Sequence, residues 1–422
     1  MKEDNGTASY IADWEDLNLL QTHTCKNGLR VVVENMPSVR SVTIGIWILT
    51  GSRNEEENNN GLSHFLEHMF FKGTKNRSAK ELAEAFDAIG GMVNAFTSKE
   101  YTCYYAKVLD THKEFALEVL ADMFFESQFL QEEIEKEQKV VLEEIKMAED
   151  TPDDIIHDWL AEAAYGKHPL GLPILGTEST LMSFTSESVR NYKESHYVPE
   201  KMVVSVAGNV DESFIKTVED QFGTFQAESA HRALHAPPFI PNTISRSKET
   251  EQAHLTIGYQ GLELDDPASY SLTVVNNVLG GSMSSRLFQD VREEKGLAYS
   301  VFSYHSTYLD SGMLTIYAGT GKEQLDELQE TIRLTLEKLK ADGITDKEFR
   351  NTKEQLKGNY MLGLESTNSR MSRNGRNELL LGKHPSLNEL IEKIDSVTMD
   401  DVDAVIQQIF GKEQARAIVA PK

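Results

Sequence analysis

The hydrophobic and polar positions predict a clear succession of elements in the first half of the chain. The β-branched run Ser41–Leu49 is typical of a strand, and Met92–Leu109 alternates apolar and polar residues as a β-hairpin does. In 111–126 and 132–150, apolar residues recur every three to four positions, which is typical of amphipathic helices. With a helix-like segment between the first strand and the hairpin, the pattern predicts a strand, a helix, a hairpin and two long helices.

A second copy of this pattern follows. It opens with the strand-like His254–Gln260, in which "TIG" repeats the "TIG" of the first strand. Strand-like and helical segments then come in the same order, and Glu348-Phe349 falls at almost the same offset from Glu133-Ile134. Internal duplication is the simplest explanation of such a repeat. We therefore predict an α+β fold of two homologous domains, each a mostly antiparallel sheet covered by helices.

The loss of periodicity marks the predicted domain boundaries. Residues 1–21 show no clear pattern and are predicted to be a mobile N-terminal extension. Residues 228–249 contain three prolines and no periodicity, which favours a linker. The two domains are thus predicted to span 22–227 and 250–422.

Composition narrows the functional classes. The longest apolar run among the 422 residues is far short of a membrane span, and no signal peptide is evident, so we expect no membrane partner. Two cysteines, Cys25 and Cys103, cannot form a disulfide framework, which favours the reducing cytoplasm. The formal net charge of -25 makes nucleic acid an unfavourable partner. The same charge suits basic peptides, although a solubility role explains it equally well.

The stretch "GLSHFLEHMFFKGT" carries the first candidate chemistry. On a helix, His64 and His68 lie one turn apart and project from one face, so their imidazoles can bind one metal ion. Glu67 lies beside them and can accept a proton from a metal-bound water. The order H-x-x-E-H is a zinc peptidase signature. A structural histidine pair is the alternative, but burying three ionisable groups in an apolar helix is costly unless something pairs them.

A third metal ligand is predicted in the helical segment Ile134–Ala148. At about 100° per residue, Glu144 flanks the apolar face and Glu143 points toward solvent. Glu137 lies two turns before Glu144 on the same flank, where it can support a metal ligand through a hydrogen bond. The second half of the chain has no H-x-x-E-H motif. We therefore predict one metal site per chain, in the first half.

These motifs resemble the pitrilysin-type inverzincin metallopeptidases, including the mitochondrial processing peptidase β-subunit and its bacterial relatives. The resemblance covers nearly all of the chain after about Thr22 and rests on "HFLEH", on Glu135–Ile145 and on Asn94–Thr102. It implies that the two histidines and the distal glutamate bind one Zn²⁺ per chain. It also implies that the glutamate of H-x-x-E-H is the catalytic base.

A second part of the resemblance lies in Ser285–Ser303. In the family, an arginine and a tyrosine seven residues apart contact the substrate and stabilise the tetrahedral intermediate, and they correspond to Arg292 and Tyr299. We further predict that substrate binds as an extended strand at a sheet edge, through the main chain of Asn94, Ala95 and Phe96.

The resemblance also has consequences for assembly. The family encloses peptides in a clamshell of four α+β domains, and this chain has sequence for two. We therefore predict a homodimer whose sites are completed in trans. A monomer and a heterodimer with a relative that lacks the motif are the alternatives.

The predicted function is zinc-dependent endopeptidase activity on peptides or unfolded segments. Two other classes stay open. One is a non-catalytic scaffold subunit, although no motif residue has been lost here. The other is a metal-dependent peptide-binding chamber with negligible turnover.

Overall fold

The computed structural model describes residues 19–227 and 234–422. The first half forms a six-stranded sheet, whose strands are β1 (Leu20–Thr24), β2 (Arg30–Asn35), β3 (Ser41–Ile48), β4 (Met92–Thr97), β5 (Thr102–Leu109) and β6 (Met202–Gly208). Their order across the sheet is β1-β2-β6-β3-β5-β4. The β2–β6 pair is parallel and the other neighbours are antiparallel.

The second half forms a five-stranded sheet of β7 (Thr243–Lys248), β8 (Ala253–Gln260), β9 (Ala298–Tyr308), β10 (Ser311–Thr320) and β11 (Gln414–Pro421). Its order is β7-β11-β8-β10-β9, with β7 and β11 parallel. This order matches β2-β6-β3-β5-β4 of the first sheet strand for strand, including the position of the parallel pair. The predicted fold class, two duplicated α+β domains with mostly antiparallel sheets, is confirmed.

Helices cover both sheets. Those of the first half are α1 (Leu62–Met69), α2 (Ala79–Asp87), α3 (Lys113–Glu126), α4 (Gln131–Asp150), α5 (Pro152–Tyr165), α6 (Glu178–Leu181), α7 (Ser186–His196) and α8 (Ser213–Phe222). Those of the second half are α9 (Ser269–Gly280), α10 (Leu325–Asp342), α11 (Asp346–Gly363), α12 (Thr367–Leu380), α13 (Leu387–Ser396) and α14 (Met399–Phe410). Among these described helices, none is long and apolar enough to cross a bilayer.

The two halves exchange one helix each. Helix α5 packs on β8 and β11 of the second sheet, where Leu160 lies in a buried cluster with Ala417. Helix α12 packs on β3 and β6 of the first sheet, where Met371 contacts Trp47. The approach is close: a Cβ added to Gly375 would lie 2.3 Å from the indole nitrogen of Trp47. Each half therefore completes the core of the other.

Two of the predicted boundaries differ from the structure. Strand β1 begins at Leu20, inside the range 1–21 predicted as an extension, and residues 1–18 lie outside the described part of the chain. Strand β7 lies within the range 228–249 predicted as a linker, and residues 228–233 also lie outside the described part. Both strands are at sheet edges and neither has a fully buried residue, so they carry little of the hydrophobic alternation that predicts a strand.

A buried ion-pair cluster also joins the halves. The guanidinium of Arg53, 1% exposed, bonds to the carboxylate of Glu100, 5% exposed, at 2.5 Å. The same guanidinium contacts Asp310, in the turn between β9 and β10, at 2.6 Å. Glu100 also accepts a hydrogen bond from the backbone N–H of Leu309. Arg53 and Glu100 of the first half thus hold the β9–β10 turn of the second.

Replacing Arg53 with methionine is expected to lower the free energy of unfolding by about 3–5 kcal/mol, because the buried Glu100 carboxylate would lose its cation. Chemical denaturation followed by circular dichroism measures the change. Arg40→Met is the matched control, since Arg40 pairs with Asp110 but is 73% exposed, and its loss should change stability little. Equal stability of the two variants would show that the cluster does not hold the halves together.

Candidate metal centre

The predicted metal-binding motif lies on helix α1, whose start is fixed by its surroundings. Gly61 caps the helix with φ 96°, and a Cβ there would lie 2.6 Å from the carbonyl oxygen of Leu175. The buried carboxylate of Glu55 accepts the backbone N–H groups of Gly61 at 2.7 Å and Ser63 at 2.6 Å. Burial raises the pKa of Glu55 to about 7, although these donors oppose the shift. The start of α1, just before His64, is therefore fixed by the close packing of Gly61 against Leu175 and by the hydrogen bonds to Glu55.

The structure brings His64, His68 and Glu144 together. One ligand atom from each lies within 4.8 Å of the other two. The His64 Nε2–Glu144 Oε1 distance is 3.7 Å, and the His68 Nε2–Glu144 Oε2 distance is 3.5 Å. Glu144 comes from α4, which packs beside α1. Two helices therefore supply the three predicted ligands, and Glu143 next to Glu144 points outward to pair with Lys146.

Glu137 fixes the orientation of His68. Its carboxylate, 4% exposed, lies 2.8 Å from His68 Nδ1, and Lys72 binds its other oxygen at 2.5 Å. Burial favours the neutral acid, but His68 and Lys72 outweigh it and hold the pKa of Glu137 below its usual value. The anionic carboxylate therefore accepts a hydrogen bond from Nδ1–H of His68, and the lone pair of Nε2 is left directed toward Glu144.

The two histidines differ electrostatically. Burial, reinforced by the neighbouring His68, lowers the pKa of His64 to about 3, so this imidazole is neutral at physiological pH. Burial also acts to lower the pKa of His68, but Glu137, Glu144 and Glu67 outweigh it and raise the pKa. A neutral imidazole is the form that binds a metal. His64 is already in that form, whereas the raised pKa of His68 means that a metal ion competes with a proton for this ring.

Glu67 lies next to these groups without belonging to the cluster. Thr97, at the end of β4, donates a hydrogen bond of 2.5 Å to Glu67 Oε2. Burial raises the pKa of Glu67 above its ordinary value, despite opposing contributions from Thr97 and His68. A carboxylate with a raised pKa is a better proton acceptor near neutrality. Thr97 holds one oxygen of Glu67, and no hydrogen bond from another described residue holds the other.

The donor set fits zinc. Two imidazoles and a carboxylate are the ligands of one common class of catalytic zinc site, which keeps a fourth position open. Ligands 2.0–2.1 Å from a tetrahedral ion lie about 3.4 Å from each other. The two histidine–Glu144 distances are within a few tenths of an ångström of that separation. His64, His68 and Glu144 would therefore hold zinc after only small side-chain movements.

The predicted substrate residues lie on β4, the edge strand nearest to α1. Asn94 and Phe96 are exposed and Ala95 is half-buried. The strand pairs with β5 on one side, and no described strand pairs with its other side. Because Thr97 at the end of β4 contacts Glu67, a peptide added to this edge would run toward the metal centre.

Arg292 and Tyr299 lie together in the second half. The guanidinium of Arg292 lies 4.6 Å from the centre of the Tyr299 ring, and Tyr299 is 79% exposed. A π-helical segment, Phe288–Glu294, carries the arginine, and β9 carries the tyrosine. No hydrogen bond, ion pair or ring contact among the described residues joins either one to His64, His68, Glu67 or Glu144. Within one chain, the pair and the metal cluster do not touch.

Comparison with known proteins assigns the family. The insulinase model of peptidase family M16 matches residues 30–178, and the model of the peptidase M16 inactive domain matches residues 183–356. The chain belongs to peptidase family M16. The first M16 model contains the whole metal cluster, and the second contains Arg292 and Tyr299.

Sequence relatives agree with this assignment, and a solved structure shares the fold. The uncharacterized zinc protease YmxG of Bacillus subtilis is 60% identical over 96% of this chain and 98% of its own length. An uncharacterized zinc protease of Streptomyces coelicolor is 41% identical over 98% of this chain and 92% of its own. The crystal structure of a protease from Helicobacter pylori superposes with a TM-score of 0.88 at 24% identity, covering 95% of this chain and 99% of that one.

Three residues around the candidate metal centre were not predicted from the sequence. They are Glu55, which caps α1, Thr97, which binds Glu67, and Lys72, which binds Glu137. Glu55 lies in a loop and Thr97 at the end of β4, where the position of a side chain depends on tertiary contacts that periodicity does not specify. Lys72 lies only four residues after His68, and this closeness to the motif was the one sequence signal that it could contact the site.

Proposed function

We propose that this M16 chain is a zinc-dependent endopeptidase that hydrolyses peptides or unfolded segments. The observation that carries the proposal is the convergence of His64, His68 and Glu144 within 4.8 Å, with Glu67 beside them. The names of the zinc protease relatives support the choice of metal and reaction.

Each residue has a distinct role in this reaction. When bound, zinc supplies a Lewis acid that acidifies water and polarises the scissile carbonyl. Glu67 accepts the proton of the attacking water and passes it to the leaving amine. Its hydrogen bond from Thr97 orients the carboxylate for both transfers. Glu137 and Lys72 hold the tautomer and orientation of His68.

The free edge of β4 supports a way to bind substrate. An extended peptide would pair with the main chain of Asn94, Ala95 and Phe96, so recognition would depend mainly on backbone hydrogen bonds. Backbone pairing tolerates many side chains but requires an unfolded segment. The net charge of -25 adds a preference for basic peptides at low salt.

The separation of Arg292 and Tyr299 from the metal cluster favours a homodimer whose sites are completed in trans. Both groups are partly or largely exposed, as a pair that meets a partner's substrate must be. An Arg donor and a Tyr hydroxyl suit the developing oxyanion of the tetrahedral intermediate. Closed two-fold symmetry would give two equivalent sites per dimer.

Mixing two inactive variants is expected to restore activity. One chain carries Glu67→Gln and the other carries both Arg292→Ala and Tyr299→Phe. In a mixed dimer, one site would have both intact halves and the other would have neither, so hydrolysis should return to about half the wild-type rate per mixed dimer. Light scattering and subunit exchange with labelled chains confirm that mixed dimers form. If the subunits exchange but the mixture hydrolyses peptide no faster than the separate variants, the trans arrangement is ruled out.

Cleavage of an unstructured peptide library, followed by mass spectrometry, tests the proposed activity. Internal cuts that require zinc and Glu67 are expected, with basic peptides cut faster than acidic ones at low salt. Peptide binding without cleavage would instead show a binding chamber. If the chain neither binds nor cleaves the peptides, the result would indicate a scaffold subunit. If the cleavage rate does not depend on salt, only the proposed preference for basic peptides would be contradicted, and the peptidase activity would stand.

A further inference from the structure

A second group of metal-ligand side chains lies at the opposite edge of the first sheet from β4. His23 is in β1, Cys25 follows the end of that strand, and Glu219 is in α8. One ligand atom from each lies within 4.8 Å of the other two. Because β1 and β4 are the two outermost strands of the six-stranded sheet, this group is separate from the M16 metal centre.

The backbone of β1, the turn after it and α8 brings the side chains of His23, Cys25 and Glu219 together. Residues i and i+2 of an extended chain share a face, which puts His23 and Cys25 on the same side. The turn after Cys25 is tied to α8 by buried Asn27, whose amide donates to the carbonyl oxygens of Phe222 at 2.8 Å and Phe225 at 3.1 Å. The carboxylate of Glu219 comes from the same helix, one turn before Phe222. The position of the cluster is therefore fixed by the backbone.

The polar atoms of this cluster make only long contacts, and the ion pair of Glu219 with Lys216 Nζ spans 4.0 Å. His23 Nε2 is buried and has no hydrogen bond among the described residues, and it lies 3.6 Å from Glu219 Oε1. Cys25 is a free cysteine, 3% exposed. Burial raises the pKa of its thiol, and the nearby Glu219 raises it further. Without a cation, a buried imidazole nitrogen and a thiol thus face a carboxylate at an unfavourable distance.

We propose that His23, Cys25 and Glu219 bind a structural divalent cation of the zinc class, which fastens the first strand to α8. A thiolate, a carboxylate and a neutral imidazole carry a total charge of -2, which balances the cation. Thiolate and imidazole ligands select zinc-like ions over magnesium or calcium. The His23 and Glu219 side chains are 38% and 30% exposed, so water can reach a fourth coordination position.

The sulfur ligand makes this site distinguishable from the catalytic one. Cobalt(II) bound to a thiolate gives a charge-transfer band in the near ultraviolet, whereas the ligands of the M16 centre are nitrogen and oxygen. The chain has two cysteines, and the other one, Cys103, lies on β5 at 0% exposure. Cys103→Ser is therefore a matched control for Cys25→Ser.

The experiment titrates metal-free chains with cobalt(II), recording absorbance and the bound metal per chain. We expect two ions and a thiolate band in the wild type and in Cys103→Ser. Cys25→Ser should bind one ion without the band, and His68→Ala should bind one ion with the band. His23→Gln, a change at a partly exposed position, should keep the fold and weaken the titration that produces the band at least tenfold.

Thermal melting in the His68→Ala background gives a second measurement that does not depend on peptidase activity. Zinc should raise the melting temperature of this chain, because a ligand that binds only the folded state stabilises it. The same zinc should leave the Cys25→Ser/His68→Ala chain unchanged. A wild type that binds one ion without a thiolate band would overturn the proposal. So would a band that survives Cys25→Ser or an unchanged titration in His23→Gln.

Discussion

Replacing Glu67 with glutamine is expected to reduce peptide hydrolysis by roughly 10²–10⁴-fold while zinc stays bound. The amide keeps the shape of the side chain and can still contact Thr97, but it cannot accept a proton from the attacking water. The proposed metal ligands His64, His68 and Glu144 are unchanged. Initial rates on a fluorogenic peptide, measured beside the zinc content of the same preparation, give the result.

Glu143→Gln is the matched control for this variant. Glu143 undergoes the same chemical change one residue from a proposed metal ligand, but its side chain is 73% exposed and pairs with Lys146. Its hydrolysis rate should equal that of the wild type. A Glu67→Gln chain that retained near-normal hydrolysis would show that another group is the base.

Replacing His68 with alanine is expected to remove the metal ion from the proposed catalytic centre. Alanine removes one of three ligands and leaves the buried Glu137 without its imidazole partner. Zinc affinity should fall by more than about 100-fold, since losing only an outer partner such as Glu137 typically costs about 10–100-fold. Hydrolysis should fall to background at zinc concentrations that saturate the wild type. Competition with a chromophoric chelator measures the affinity.

Two further variants test whether the loss of zinc affinity is specific to the site of His68. Glu137→Gln should give an intermediate zinc affinity, because it weakens the support of His68 and keeps the ligand. His235→Ala removes an exposed imidazole away from the cluster and should bind zinc like the wild type. Unchanged zinc affinity at the catalytic centre of His68→Ala would mean that the metal is held elsewhere.

Much of this architecture could be predicted from the sequence because local patterns specify it. The spacing of His64 and His68 places them on one helix face, and helical periodicity on α4 separated Glu144 from Glu143. The repeated pattern of strands and helices gave the duplication. In each case, residues close together in the chain determine the outcome.

The remaining features depend on contacts between distant segments. The exchange of α5 and α12 is invisible to periodicity, because an apolar helix face does not specify which sheet it covers. Arg53 reaches Asp310 across the two halves, and no local signal links them. Edge strand β7 falls in the predicted linker because none of its residues is fully buried and its sequence therefore lacks hydrophobic alternation. Helix capping by Glu55 likewise requires a loop to fold back on α1.

Reversible removal of zinc tests the central claim most directly. Hydrolysis of one unstructured peptide is measured with zinc-loaded protein, after exhaustive chelation, and after zinc is returned to the same sample. The account predicts internal cleavage by the loaded protein, loss of cleavage with the metal, and full recovery when zinc is restored. Cleavage that persists in the metal-free protein, or its absence from the zinc-loaded protein, would contradict the assignment of a zinc endopeptidase.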